Sequence, residues 1–441
     1  MTQAGVRIVV LGASGLIGQA VAEGLARSGA EVTAIARHFT AAQAAAFLNR
    51  DSCPIVDLDT KALAGLLAKH RPDIVLNCVG VLQDTRRGTT RDVHVAFVRR
   101  LLAAMAAHDH PLLLIHVSIP GRAADDETPF SRSKREAEGL ISDARTPFVV
   151  LRPGFVIVPG AYGGSALIRG LALAPVRLPD AVTRRPLVTT SIDDLADTVL
   201  RVVARWVSGE RDWRAVWDVV AEEPTTVASV IEAFRRRFGG PEPVVTLPVW
   251  MLNVGALAGD AAAGLGWSPP IRTNALREMM RGVEGDPGPW MAASGITPTR
   301  LAQTVAGLPS TVQEQWFGRM YLLKPLIVAG LAGFWTVSGL VALLVSFEPA
   351  TAILVRHGIP HDLGRMITVV TSLADIAIGV AVAVRASCRI GLVAGITVAL
   401  FYMIGAVLIA PDLWAEPLGA LVKTGPAIVL MVVALAVLDA R

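Results

Sequence analysis

Tyrosine and cysteine are each present only 3 times in the 441-residue chain. The phenols are Tyr162, Tyr321 and Tyr402, so a tyrosine acid or base has few places to sit. The thiols, Cys53, Cys78 and Cys388, show neither pairing nor metal-ligand spacing, which argues against a disulfide framework or a thiolate metal centre. A reduced, cytosolic setting is expected for the soluble part. Charge is thin, at 18% of residues, and nearly balanced, with 41 Lys and Arg against 37 Asp and Glu. A net charge of +4 is not the footprint of a nucleic-acid binder. No internal repeat stands out. The first apolar run, Ile8–Leu11, is too short for a signal peptide and leads straight into glycines, so none is expected.

Apolar residues are abundant, at 53%, and concentrate after Tyr321. Four membrane helices are expected, at about 326–347, 367–384, 390–410 and 418–438, within a membrane domain over 319–441. The long connection Glu348–Arg365 carries two prolines and is expected to lie partly in the interface. The turn between the second and third helices carries Arg385 and Arg389 and no acid, which places it in the cytoplasm. Both chain ends then face the cytoplasm. Asp412 and Glu416 fit the outer side, while Arg356 and Arg365 go against the rule. The four helices hold no histidine (His357 and His361 fall in the outer loop), which argues against haem. Asp375 and Lys423 are ionisable groups inside spans, which are costly there, and a pair between them is expected. Lys423 snorkelling to the outer interface is the alternative.

The chain is organised around Val6–Gly18, VRIVVLGASGLIG. An apolar strand ends in Gly12, and Gly15 and Gly18 follow at three-residue spacing. Gly12 allows a sharp turn, Gly15 a close approach of backbone to a pyrophosphate, and Gly18 close packing of helix on strand. The N-terminus of the following helix suits a phosphate. Strands are expected at Arg7–Leu11, Glu31–Ala36, Cys53–Leu58, Ile74–Cys78, Leu112–Ser118 and Phe148–Leu151, with helices between them. Runs such as DIVLN and LLLIHV are apolar throughout, as strands buried on both faces should be. The fold class is α/β: a Rossmann-like, doubly wound parallel sheet over 1–155, a small capping lobe over 156–318, and a C-terminal four-helix transmembrane bundle.

Several residues at the strand ends suit a dinucleotide. Arg37 follows the second strand with no acid beside it, which suits the 2′-phosphate of NADP. Asp57 and Leu58 end the third expected strand, beside the adenine, although a turn-forming Asp reads almost as well. In Asn77–Gly80, Asn77 braces the loops, Cys78 packs, and Gly80 admits the cofactor. His108, Asp109 and His110 read as a surface cap, not a metal site, and no metal is expected. Arg235, Arg236 and Arg237 read as a solvated helix end, with contact to anionic lipid as the alternative. His116, in a buried strand, reads as a satisfied core residue.

Together the GASGLIG loop, Arg37, the NCVG turn, Ser118 after the fifth strand, the spacing around Lys134 and the LRPG segment Leu151–Gly154 resemble the short-chain dehydrogenase/reductase superfamily. The nearest branch is its atypical NAD(P)-binding members, which include the NAD(P)H-binding accessory subunit of respiratory complex I. The membrane part is similar to DoxX-like four-helix domains. The resemblance implies cofactor contacts from Gly12, Ser14, Gly15, Leu16, Ile17, Gly18, Arg37, Asp57, Leu58, Cys78, Val79, Gly80, Lys134 and Pro153. It also implies a Ser, a Tyr and a Lys at the nicotinamide, with the Tyr four residues before the Lys. Ser118 and Lys134 stand in place, but Phe130 occupies the Tyr position, and a phenyl ring moves no proton. Tyr162 is the one phenol able to approach, and is expected to line the pocket or pack there. Ser131 and Ser133 lie close in sequence.

Two functions follow as expectations. One is a membrane-attached NAD(P)H-dependent oxidoreductase, preferring NADP(H) with NAD(H) as the alternative, acting on a lipophilic or quinone-like small molecule. The other is a non-catalytic NADPH-binding structural or sensory protein, which Phe130 motivates. Either would sit in the inner (cytoplasmic) membrane as a multi-pass protein with its nucleotide domain in the cytoplasm. No nucleic-acid partner is expected, and a membrane-protein partner is left open.

Overall fold

The structure is a computed structural model that describes residues 5–84, 88–415, 419 and 421–439. Two compact units divide the chain. One holds Met1–Leu257 and Pro270–Gln315, the other Ala258–Pro269 and Trp316–Arg441.

The first unit is built on a seven-stranded parallel sheet. Its strands are β1 (Arg7–Leu11), β2 (Glu31–Ala36), β3 (Asn49–Ser52), β4 (Ile74–Asn77), β5 (Leu113–Val117), β6 (Phe148–Pro153) and, later in the chain, β10 (Arg214–Val219). Their spatial order is β10-β6-β5-β4-β1-β2-β3. Side chains alternate across a strand. In β1, Ile8 and Val10 therefore join one core with the helices Leu16–Arg27 and Ile192–Val207. Val9 and Leu11 join another with Thr60–His70, Phe97–Ala106 and Pro129–Asp143. Two layers of helices on a parallel sheet make the doubly wound fold. Small parallel pairs, β7 (Phe155–Ile157) with β9 (Thr189–Ser191) and β8 (Val176–Arg177) with β11 (Val245–Thr246), lie outside this sheet.

The third expected strand is displaced. Strand β3 is the polar stretch Asn49–Ser52, whereas Ile55–Asp57 forms a 3-10 turn. An edge strand with one paired side needs little apolar signal, so the apolar Cys53–Leu58 run drew the strand to itself. The stretch 156–318 does more than cap: its β10 pairs with β6 from Phe148↔Arg214 to Pro153↔Val219. Gly154 in the LRPG segment is required by closeness, since a Cβ there would fall on the Val188 carbonyl oxygen.

In the second unit, three helices among the described residues are long and apolar enough to cross a membrane: Val312–Val345, His361–Ala383 and Cys388–Ile409. The fourth expected span appears as the shorter helix Thr424–Val437, its expected start at 418 lying outside the described residues, as does Glu416. The connection after the first span forms the helix Phe347–Arg356. Phe401, Ile404, Leu408 and Ile390 present exposed apolar side chains on the outside of the third helix. Asp375 is buried among the helices and accepts a hydrogen bond from the Tyr402 hydroxyl at 2.9 Å. The expected Asp375–Lys423 pair is not formed. Lys423 is exposed, at the N-terminal edge of the last helix, and the phenol takes its place. Arg385 and Arg389 both bind Asp439 beyond the last helix, which brings that helix end to the turn between the second and third spans.

Candidate functional site

The loop after β1 is shaped by its glycines. Gly12 has φ +81°, a left-handed conformation that a side chain strains, and a Cβ there would lie 3.1 Å from the Cys78 carbonyl carbon. A Cβ at Gly18 would fall on the Gly12 carbonyl oxygen. Gly15 is the N-cap of Leu16–Arg27 and supplies no side-chain cap, so the N-terminal amides there are left open. This is a cradle for an anion at a helix N-terminus. The loop is braced by a residue that sequence reasoning missed. Gln43 closes a capping box with Thr40 and donates to the Ser14 carbonyl at 3.1 Å and the Gln19 side chain at 2.8 Å. Arg37, one residue past β2, is exposed at the same sheet edge. Asp57 is exposed in the 3-10 turn and Leu58 follows it half-buried, so neither ends a strand.

Strands β4 and β5 and the helix Pro129–Asp143 converge beside this cradle. Asn77 is buried. Its Oδ1 accepts from the Val79 amide at 3.1 Å and its amide nitrogen bonds His116 Nδ1 at 3.0 Å. His116 Nε2 has no partner among the described residues, so the expected satisfied histidine is satisfied on one nitrogen only. Burial, reinforced by the Lys134 charge, holds His116 well below its usual range. The Cys78 thiol is pushed up to about 12 by burial and is not poised to react. Ser118 sits just past β5, buried. The Lys134 ammonium donates to the Val117 carbonyl at 2.9 Å and lies 3.4 Å from the space a Cβ on Gly80 would take. Burial lowers its pKa to about 8, against the charges of Cys78 and Glu138.

Phe130 replaces a phenol with a ring that packs edge-on against His94, centroids 5.6 Å apart. His94 is the second residue that the sequence did not single out. Its Nε2 accepts from the Val81 amide at 3.1 Å, which leaves the proton on Nδ1 to be donated to Ser133 at 2.8 Å. Ser133 in turn donates to the Phe130 carbonyl at 2.9 Å. Both ring nitrogens are occupied, and burial with the Lys134 charge drives the pKa down to about 2. His94 therefore stays neutral and ties the loop after β4 to the helix bearing Lys134. Ser131 closes a capping box with Thr128 at the start of that helix.

A charged network flanks the site. Arg135 Nε donates to Asp126 at 2.9 Å, and Arg281 Nη2 donates to the same carboxylate at 2.6 Å. Arg152 binds Glu138, and its Nη1 lies 3.7 Å from Asp218. Burial alone would raise the Glu138 carboxyl, but hydrogen bonds from Arg152 and the charges of Arg152 and Arg135 hold it below its usual range. Glu278 accepts from Thr128. The helix Thr273–Arg281 is thus fastened to the loop after β5.

Other expected groups lie elsewhere or are engaged differently. Tyr162 is 62% exposed and so is not packed. Pro153 is the buried last residue of β6. His110 donates to the Pro72 carbonyl at 3.0 Å, and no group of three or more His, Cys, Asp or Glu able to hold a metal occurs among the described residues. The arginine run is not a solvated end: Arg235 is buried on the Leu171 and Val176 carbonyls and Arg237 binds the Leu308 carbonyl, with only Arg236 exposed.

Residues 8–211 match the NAD dependent epimerase/dehydratase family and residues 332–432 the DoxX-like family. The chain joins an epimerase/dehydratase-type, short-chain dehydrogenase/reductase-like domain to a DoxX-like domain. The epimerase-type part is 27% identical over 308 residues to dTDP-6-deoxy-L-talose 4-dehydrogenase (NAD(P)(+)) of Kitasatospora kifunensis, covering 62% of this chain and 93% of that one. It is also 27% identical over 310 residues to a 3-diazoavenalumate denitrifying reductase of a Streptomyces species, covering 60% and 96%. Among solved structures, the UDP-glucose 4-epimerase of Thermotoga maritima with UDP-glucose aligns with a TM-score of 0.52 at 16% identity over 72% of this chain and all of that one. A putative epimerase of Burkholderia cenocepacia aligns with a TM-score of 0.53 at 19% identity over 72% and 99%. Identities this low speak for the fold. The epimerase-type domain is thus similar to NAD(P)-dependent oxidoreductase-type domains, and the DoxX-like match falls on the apolar helices.

Proposed function

We propose that this chain is a membrane-attached NAD(P)H-dependent oxidoreductase that prefers NADP(H) and reduces a lipophilic, quinone-like acceptor. The observation that carries it is the glycine cradle and buried Lys134 on a chain that also bears a DoxX-like bundle. The residues present fit the cofactor. Amides after Gly15 would hold the pyrophosphate, Arg37 the 2′-phosphate, Asp57 and Leu58 the adenine, and Lys134 the nicotinamide ribose. When bound, the nicotinamide supplies the hydride. The chain's own part is to orient and to exclude water. Asn77 and His94 fix the backbone on either side of Gly80, and Phe130 provides an apolar wall.

Phe130 also selects chemistry. Reducing an ordinary carbonyl develops a strongly basic alkoxide, which calls for a proton donor in the transition state. Reducing a quinone develops a much weaker base, which takes its proton from water afterwards. One hydride and one water-derived proton balance the reaction without a phenol. On this reading the substrate is a lipophilic acceptor of that kind. The cationic turn at Arg385 and Arg389 supports a nucleotide domain on the cytoplasmic side of the inner membrane. A membrane-protein partner remains compatible with this arrangement.

A second reading, a non-catalytic NADPH-binding protein, is favoured by one observation: His94, the nearest titratable ring to Phe130, has both nitrogens engaged and stays neutral. Titrating detergent-solubilised full-length protein with NADPH and NADH, then adding membrane quinones, separates the two. Tight NADPH binding followed by oxidation supports the enzyme. Tight binding with the nucleotide left reduced against every acceptor supports the second reading, and absence of binding overturns both.

A further inference from the structure

The helix Val249–Gly264 reads VWMLNVGALAGDAAAG, with Asn253 and Asp260 its only polar side chains. A helix apolar all round belongs in a core or in lipid. This one is not in the core. Trp250 and Leu257 are each 64% exposed, Val254 is 55% exposed, and Val249 and Met251 are exposed beside them. Its 16 residues make about 24 Å of helix, short of a bilayer span.

The last seven residues of the helix and those that follow it belong to the membrane unit, since Ala258–Pro269 groups with Trp316–Arg441. The Leu265 carbonyl accepts from the Arg385 amide at 3.0 Å. Trp267 Nε1 donates to the Ala383 carbonyl at 2.7 Å, and the Arg385 guanidinium lies 5.5 Å from the Trp267 ring centroid. Ala383 ends the second spanning helix and Arg385 opens the turn to the third. The exposed apolar helix is therefore continuous with a segment anchored at the mouth of the bundle. Tryptophan and arginine are the residues expected at the water–lipid boundary.

We propose that the helix beginning at Val249 is an interfacial helix, lying in the boundary between headgroups and acyl chains, and that the surface formed by Trp250, Met251, Val254 and Leu257 is covered by lipid. The bilayer is the occupant because the helix runs without a break into the unit that carries the spanning helices. Burial of this kind scales with apolar area and needs no specific headgroup. The inference rests on the membrane reading of the bundle, and the experiment separates the two.

Full-length protein is reconstituted in phosphatidylcholine–phosphatidylglycerol vesicles. A nitroxide is carried on a genetically encoded keto amino acid at position 250, 254 or 257, so that the native cysteines stay. Position 48, where Leu48 is 96% exposed, serves as the water reference, and position 401 on the third spanning helix as the lipid reference. Three separate helix positions guard against one label that disturbs folding. The expected result is access to oxygen with several-fold lower access to chelated nickel than at position 48. Nickel access equal to position 48 overturns the proposal. Shielding from both reagents with spin–spin broadening also overturns it, in favour of a second copy of the chain. Nickel access at position 401 would overturn the membrane reading itself.

Discussion

Phe130 and Arg37 carry most of the chemistry that single residues decide. Arg37 is exposed, and under the proposed NADP reading it meets only the 2′-phosphate, so its loss should be selective. The Arg37→Glu variant is expected to weaken NADPH binding by at least about tenfold, or ~1.4 kcal/mol, and to leave NADH binding nearly unchanged, as read by nicotinamide fluorescence. Lys134 gives a pH signature. Its pKa falls from 10.5 to about 8 on folding. Between those values the unfolded chain holds the proton that the folded chain has released, so the nucleotide-free protein gains stability as pH rises from about 8 to 10.5. Replacing Lys134 with Met should remove that rise from thermal melts taken across the same window. Sequence showed Lys134, Ser118 and the Phe130 departure, because motif spacing is local. It did not show His94 or Gln43. Their roles depend on partners 39 residues away at Ser133 and 29 residues away at Ser14, which only the sheet brings near.

At the scale of elements, legibility followed burial. Strands β1 and β2 were readable to the residue because both faces are covered and, past Arg7 and Glu31, their sequences are almost entirely apolar. Strand β3, NRDS, carries no apolar pattern because it closes an edge, and β10 was missed because RAVWDV alternates and lies far along the chain. The arginines after Ile231 misled because charge in sequence does not reveal carbonyls in space. The clamp between Thr273–Arg281 and the loop after β5 has a measurable consequence. Asp126 and Arg281 side chains are 3% and 8% exposed. Removing one partner of a buried pair costs about 3–5 kcal/mol, so Asp126→Asn should lower the melting temperature of the epimerase-type domain and open residues 273–281 to proteolysis. In the bundle, Tyr402→Phe withdraws the one side-chain hydrogen bond to Asp375 found among the described residues. A loss of about 0.6–1.7 kcal/mol is expected, measured by denaturant titration in detergent micelles, and Lys423→Met should change it little.

For the whole molecule, the order of residues along the chain and the order of the two units do not coincide. The chain passes into the membrane unit at Ala258, leaves it after Pro269, and returns at Trp316. A truncated chain ending at Gln315 would keep the twelve-residue segment without the helices it packs on. Such a fragment is expected to sediment with membranes or aggregate, and deleting 249–269 from it, which removes the exposed apolar helix together with that segment, should increase the soluble fraction in a fractionated lysate. The interleaving also bears on descent. A gene exchange with one breakpoint would hand on a nucleotide-binding half still bearing a piece fitted to the former bundle. The two halves are therefore expected to be inherited together and to change in step at Trp267 and Arg385, wherever such chains have diverged.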